Sequence, residues 1–491
     1  MNRFALLTVL VQAAAAFAGP LVARTSEPDP SLAFSVTIDG QTFINKGMVA
    51  FGLIPSDFKD STGDTMGGIG SAIGIKPGSF AQSGSSFTGT LVVQPDRGFN
   101  VDGTIDYQGR QHQIDFVLNP YYSTSALSFT DAQDTLQLTY KNTLLYTERE
   151  GAKTSGLDAQ GVRAAQSGFP STPTADPQMP IPSKSLNHLS LDLEGLVLNT
   201  DGTFWISDEY GPYIYRFDST GALIQTIQPP DAIIPLTDGD IDFTSEDDPD
   251  TGRAGNQGFE CLTVDESTNT LWAMLQSATI QDGGNKKSNS RYTRLLAYDI
   301  SQPTEIRPAL IAEYIVPLPQ DSDGKTIAAS EIAFVSNQLF LVLARDGNGH
   351  GDDDTESEYK GIDLVDISAA TNIAGSDFDS HKNPVAPKGK LDKSVTPATY
   401  TSFVSLINST QLERFALHNG GDSDAQLIDA KWESIALAPV GDAAFPHDYF
   451  LFTVADNDFM TINGVSLGEP YDAGIDVDNQ FMVFRVTLPT K

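Results

Sequence analysis

The chain has 491 residues, 40% of them hydrophobic, with 64 acidic against 30 basic side chains and a formal charge of −34. This balance excludes nucleic acid and anionic membranes as partners, because both need cationic patches. The length exceeds that at which single cores usually split, although barrels and propellers stay undivided at this size.

The chain opens like an export leader. Arg3 precedes the apolar run FALLTVLVQAAAAFA, and Ala16-Phe17-Ala18 supplies a small-x-small cleavage site. Cleavage is expected after Ala18, with Ala23 as the second choice, so the protein is expected outside the cell. Residues 19–30 form a short flexible segment and residues 31–491 a single domain. No later run approaches the ~20 apolar residues of a membrane span. Cys261 is the only cysteine; no intrachain disulfide is possible, and it reads as a small buried hydrophobe. Asn408-Ser409-Thr410 is a glycosylation sequon of the kind secreted proteins carry.

Short β-rich runs punctuated by Gly, Pro, Asn and Asp dominate the remainder. GGIGSAIGIK from Gly67 and TGTLVVQPDRGFN from Thr88 predict a first hairpin, with Gly70 or Ser71 leading it. QHQIDFVLNP and DTLQLTYKNTLLYTE supply outer strands or another blade. Residues 151–185 read as a long loop. From Asp192, LEGLVL, TFWISDE, YIYRFD and ALIQTIQ predict four antiparallel strands, the size of a propeller blade. The unit recurs at FECLTVDESTNTLWAMLQ, at SEIAFVSNQLFLVLARD, and at WESIALAPV with DYFLFTVADND. The leading glutamates Glu194, Glu260, Glu331 and Glu433 lie 66, 71 and 102 residues apart. Periods this long imply insertions between strands, among them residues 347–358 and 376–394. The expected fold is all-β: a propeller of four-stranded antiparallel blades, six-bladed, with five or seven open. FMVFRVTL at the end of the chain is expected to close the ring against an N-terminal strand.

Antiparallel neighbours place the start of one strand beside the end of the next. Each leading glutamate should therefore share one rim with Asp208 and Glu209, Gln276, Arg345-Asp346, Asp456-Asn457-Asp458, or Asp96-Arg97-Gly98. Arg253, Asn256 and Gln257 are expected to reach the same rim. Clustered carboxylates repel unless protonated, paired with arginine or bridged by a cation, and oxygen-rich clusters suit calcium. The plainer alternative is that each glutamate clips its blade to backbone N–H groups of a neighbour. DGNGHGDDDTESE from Asp346 opens like a calcium loop, but Ser357 stands where its closing glutamate belongs. His112, His188, His350, His381, His418 and His447 are scattered; His350 reads as an ordinary surface residue of a rim loop. No nucleophile elbow, zinc-helix motif or nucleotide-binding glycine motif occurs.

The elements EGL…DGTFWISDEYGPYIYRFDSTG, NQGFE, ARDGNG and WESIAL…ADND, spread over residues 67–488, resemble the phytase-like family, "esterase-like activity of phytase". Cys261, Ile332 and Ser434 depart from the glycine that often follows the glutamate there. The resemblance implies a β-propeller that hydrolyses phosphate or carboxylic esters. Joined to the carboxylate ring, it implies a divalent cation, calcium, held by Glu194, Glu260, Glu331, Glu433, Asp456 and Asp458. Asp208 or Glu209 is then a general base, and Arg97, Arg253 and Arg345 clamp an anionic substrate. The expected partner is a small-molecule ester or phosphoester met by a monomer. The alternatives are a calcium-propeller lactonase and a non-catalytic secreted binding propeller.

Overall fold

The computed structural model describes residues 27–99, 103–148, 151–166, 176–302, 308–336 and 338–489; the expected leader lies outside them. Five antiparallel sheets follow one another around a ring. The first blade runs outward through Ala72–Ile75, Ser86–Gln94, Arg110–Leu118 and Leu136–Leu145. The second has Leu193–Leu198, Phe204–Asp208, Ile214–Phe217 and Leu223–Ile227, and the third Phe259–Asp265, Thr270–Leu275, Tyr292–Asp299 and Ala309–Pro317. Ala328–Ser336, Leu339–Arg345, Lys360–Asp366 and Thr399–Ser405 make the fourth. The fifth runs through Lys431–Pro439, Asp448–Asp456 and Asn479–Thr487, then takes its outer strands, Gln41–Ile54 and Phe34–Ile38, from the other end of the chain.

The innermost strands of the five blades pack in sequence and return to the first. The ring therefore closes with five blades, within the expected range but below six. Residues 34–145, divergent in pattern, build only one complete blade, because their first two strands complete the last one. Closure follows the expected pairing, with Ile44 opposite Thr487 and Ile54 opposite Asn479.

Five apolar cores fill the five seams, which is what propeller blades need, since each buries its faces only against its neighbours. Trp205 and Ile214 of the second blade meet Phe259, Leu262 and Leu271 of the third. Cys261 and Met274 meet Ile332, Phe340 and Val342 of the fourth, so the cysteine is the buried hydrophobe expected. Leu341, Leu343 and Leu364 meet Trp432, Ile435 and Leu451 of the fifth. The closing seam sets Phe450, Val454 and Val483 against Ile73, Leu91 and Ile114 of the first blade, and Ala72, Val92 and Tyr146 meet Leu193, Phe204 and Phe217 of the second. No helix among the described residues is long and apolar enough to cross a membrane.

Candidate functional site

The rim is shaped by a break in strand register. The innermost strands of blades two to five each carry a bulge at their start, where one residue more on the inner strand faces its partner. In the third blade Phe259 pairs with Leu275 and Cys261 with Met274, leaving Glu260 as the extra residue. In the fifth, Trp432 pairs with Ala455 and Ser434 with Val454, leaving Glu433. In the second, Glu194 and Gly195 face only Ser207 between the Leu193–Asp208 and Leu196–Ile206 pairs. In the fourth, the break falls one residue earlier: Ser330 is extra, and Glu331 pairs with Leu343. Because alternate strand residues face opposite sides, this one-residue difference re-aims Glu331.

The consequence is visible in the partners. Glu331 Oε1 accepts the N–H groups of Leu262 and Ile332, both at 2.8 Å. It is a backbone clip between blades, separated from the ligand set in which the sequence placed it. Glu194, Glu209 and Glu260 are buried, and each has a buried carboxylate oxygen, Oε2, Oε1 and Oε2 respectively, with no hydrogen-bond partner. Burial holds the Glu194 carboxyl well above the usual carboxylate range, and Glu260, Glu209 and Glu433 push it further. Burial and Glu433 raise Glu260 to about 7 against hydrogen bonds from Glu194 and Gln276 and the charge of Arg345. Glu209 is raised by burial, then by Glu260 and Asp192, with Arg97 and Arg253 opposing. Close approach of the third blade at this point requires Gly258, where a Cβ would stand 2.5 Å from Glu209 Cα.

The other acids are already matched. Glu433 is ion-paired with Arg345, whose Nε is buried and unpartnered. Asp456 and Asp458 hold Lys431 Nζ at 2.6 and 2.7 Å, with Glu433 at 3.6 Å from the same ammonium. Asp96, Asp456 and Asp458 are three carboxylates whose oxygens come within 4.8 Å of one another, and Lys431 serves as their counter-cation. Sequence reasoning passed over Lys431, although strand-start geometry sets it opposite Asp456. It gave no role to Asp192 either, whose Oδ2 lies 3.0 Å from Arg97 Nη1.

Two expected catalytic groups serve the scaffold instead. Asp208 accepts the N–H groups of Asp192 at 2.7 Å and Gly211 at 3.0 Å. Both oxygens are thus committed to holding the turn, and the fully buried side chain is far from a free base. Arg253 is also fully buried and donates to the carbonyls of Tyr210, Phe243, Thr244 and Ala254. It pins the loop before the third blade and has no fork to offer a substrate. Arg97 does reach the rim: it donates to Asn256 Oδ1 at 2.7 Å, lies over the Tyr210 ring, and keeps a buried Nε without partner. The Asp346 loop is likewise closed upon itself, since Asp346 accepts from Ser357, Glu358, Tyr359 and Lys360.

The six residues expected to ring one cation thus divide into a glutamate pair, two salt-bridged sets and a clip. Left over is a different trio, Glu194, Glu209 and Glu260, each of which keeps one buried carboxylate oxygen without a hydrogen-bond partner. Burial makes uncompensated charge costly there, and it raises all three carboxyls.

A family model described as "Phytase-like: Esterase-like activity of phytase" matches residues 81–459. An "uncharacterized secreted protein" of Arthroderma benhamiae is 37% identical over 464 residues, covering 87% of this chain and 89% of the relative. Among solved structures, Sqt1 of Saccharomyces cerevisiae is 8% identical with a TM-score of 0.27, over 90% of this chain and 99% of that one. A luciferin-regenerating enzyme is 9% identical with a TM-score of 0.28, over 81% and 87%.

Proposed function

The chain belongs to the phytase-like family, "esterase-like activity of phytase", and on that premise we propose that it is a secreted hydrolase of phosphate or carboxylic esters acting at its acidic rim. The observation that carries this reading is the trio of buried, unpartnered carboxylate oxygens on Glu194, Glu209 and Glu260. Structural carboxylates are hydrogen-bonded, as Asp208 and Glu331 are, and groups left without partners in a buried cluster mark functional sites. Secretion rests on the apolar leader and on the description of the Arthroderma benhamiae relative.

Glu194, Glu209 and Glu260 would hold the cation, calcium in this reading. Bound there, it supplies the positive charge that polarises the ester oxygen and lowers the proton affinity of water beside it. Arg97 and Arg345 each keep a buried Nε–H without partner, and these two donors are available to oxygen that gains negative charge as the ester bond breaks. Gln276 donates to Glu260 and orients its carboxyl. The excess of acids over cations at the rim, and the charge of −34, favour an uncharged carboxylic ester over a multiply phosphorylated substrate, which would meet repulsion on approach.

The test is hydrolysis of a carboxylic ester and of a phosphate monoester by the full-length protein, before and after a chelator and with calcium restored. Expected is loss of ester hydrolysis on chelation and in Glu194→Gln. Activity that survives both sinks the metal-assisted reading.

A further inference from the structure

The chain holds a single glycosylation sequon, Asn408-Ser409-Thr410, and ester hydrolysis leaves it without a role. It follows Thr399–Ser405, the outer strand of the fourth blade, and opens the short helix Ser409–Glu413. Asn408, Ser409 and Thr410 are exposed. The other side of the helix is fixed to the ring. Leu412 and Phe415 are buried in the seam between the fourth and fifth blades. Gln411 accepts the Met48 N–H at 3.0 Å and donates to the Leu32 carbonyl at 3.2 Å. Arg414 donates to the carbonyls of Met48 and Ser123, both at 2.8 Å. The sequon thus sits at the surface on a rigid support.

The helix cap decides which end of the Asn408 amide is free. The Gln411 N–H lies 3.2 Å from Asn408 Oδ1. Only the oxygen can accept it, as the side chain of an N-cap residue does. Asn408 Nδ2 donates to no described residue, and it is the atom to which an N-linked sugar is attached.

Beside this support lies an open strand edge. Leu32, held by Gln411, stands two residues before Phe34. Phe34–Ile38 pairs with Gln41–Ile54 on one side and, among the described residues, with no strand on the other. Its pairs run without a bulge from Phe34 opposite Asn45 to Ile38 opposite Gln41. FSVTI contains neither charge nor proline, and Phe34 is 50% exposed. Edges of sheets are usually blunted by a lysine, a proline or a bulge, because otherwise a second chain can add a strand. This edge has none of the three.

We propose that Asn408 carries an N-linked glycan that covers the open edge of Phe34–Ile38. This rests on the export part of the reading above and is independent of ester hydrolysis. In the transfer, Asn408 Nδ2 bonds to C1 of the first N-acetylglucosamine of an oligosaccharide carried on a lipid pyrophosphate. The C1–O bond breaks, the pyrophosphate leaves with the electron pair, and the amide gives up one proton. Oδ1 takes no part, so the modified side chain still caps the helix. A glycan is bulky and solubilising, and one beside Leu32 keeps a second chain from reaching the edge.

The test uses the full-length protein with its own leader, produced in a secreting yeast. Thr410→Ala removes the sequon and keeps the Asn408 cap, whereas Thr410→Ser keeps both. Expected is a fall in mass on treatment with peptide-N-glycosidase, with Asn408 then read as Asp by peptide mass spectrometry. Wild type and Thr410→Ser should show this, and Thr410→Ala should not. Secreted wild-type protein with an unmodified Asn408 overturns the proposal. Protein that never enters the secretory route overturns the export reading and the glycan with it. The covering role is read by light scattering, as loss of monomer on warming. Thr410→Ala should lose monomer faster than the wild type, and adding Ser35→Lys, a charge on the edge itself, should slow that loss again. Equal rates in wild type and Thr410→Ala, or no rescue by Ser35→Lys, overturn the covering role.

Discussion

Glu331 Oε1 accepts the backbone N–H of Leu262 at 2.8 Å, so a carboxylate of the fourth blade ties down the inner strand of the third. A Cβ on Gly195, in the second blade, would stand 2.6 Å from that same nitrogen. Three inner strands therefore meet at one peptide group. Glu331→Ala leaves the buried N–H unsatisfied, at a cost of about 1–3 kcal/mol, whereas Glu331→Gln retains an oxygen and loses little. Urea denaturation distinguishes them, and ester hydrolysis by the folded Glu331→Gln protein should match the wild type.

Gly195→Ala forces atoms into the Leu262 backbone and toward Ser207 Oγ, 2.9 Å away. Overpacking of this kind costs about 1–3 kcal/mol. It also displaces Glu194, the residue before it, so activity should fall further than the shift in denaturation midpoint accounts for. A variant as stable and as active as the wild type would show that the strands part freely here.

The buried glutamates make the cation-free protein sensitive to alkali. Glu260 is raised from 4.5 to about 7, and burial and like charge raise Glu194 and Glu209 too. Between these values the folded state binds more protons than the unfolded state, so stability falls as pH rises. The contribution is complete below about pH 4.5, where both states are protonated, and for Glu260 is lost as pH passes about 7. Chelated protein should therefore melt at lower temperature at pH 8 than at pH 5. Glu260→Gln should flatten the slope.

Lys431 neutralises a cluster that otherwise has the spacing of a metal site, with the oxygens of Asp96, Asp456 and Asp458 within 4.8 Å of one another. Lys431→Met removes the ammonium and leaves these carboxylates facing one another, a loss of about 3–5 kcal/mol when a buried pair is broken. Calcium should restore much of that stability, giving a larger rise in melting temperature per added calcium than in the wild type. Equal calcium responses would mean the cluster takes up protons instead.

Four blades are legible in the sequence because each repeats a glutamate-led hairpin with a tight turn, such as Asn199–Gly202. The first blade hides its start. Gly70 stands in place of glutamate, and a Cβ there would lie 2.1 Å from the Ala455 carbonyl carbon, so close packing replaced the marker. The chemistry was less legible than the fold. Glu331 and Glu433 look equivalent in sequence, yet a bulge one residue earlier sends one to the backbone and the other to Arg345. Register breaks of this kind leave no mark in residue type. His350 was misread for the opposite reason: its neighbours are polar, but two glycines in the left-handed region let the loop lie against Ile428 and Ala430.

The pairing of Gln41–Ile54 with Asn479–Thr487 also governs when this molecule can exist. The partner of the earlier strand is made more than four hundred residues after it. Until then the early strand holds open a row of N–H and C=O groups, the template on which stray chains pair. Closing a loop of more than four hundred residues adds a slow, non-local step. A nascent chain that stalls before Asn479 can stack blades but cannot seal them, so the ring closes only once that strand has been made.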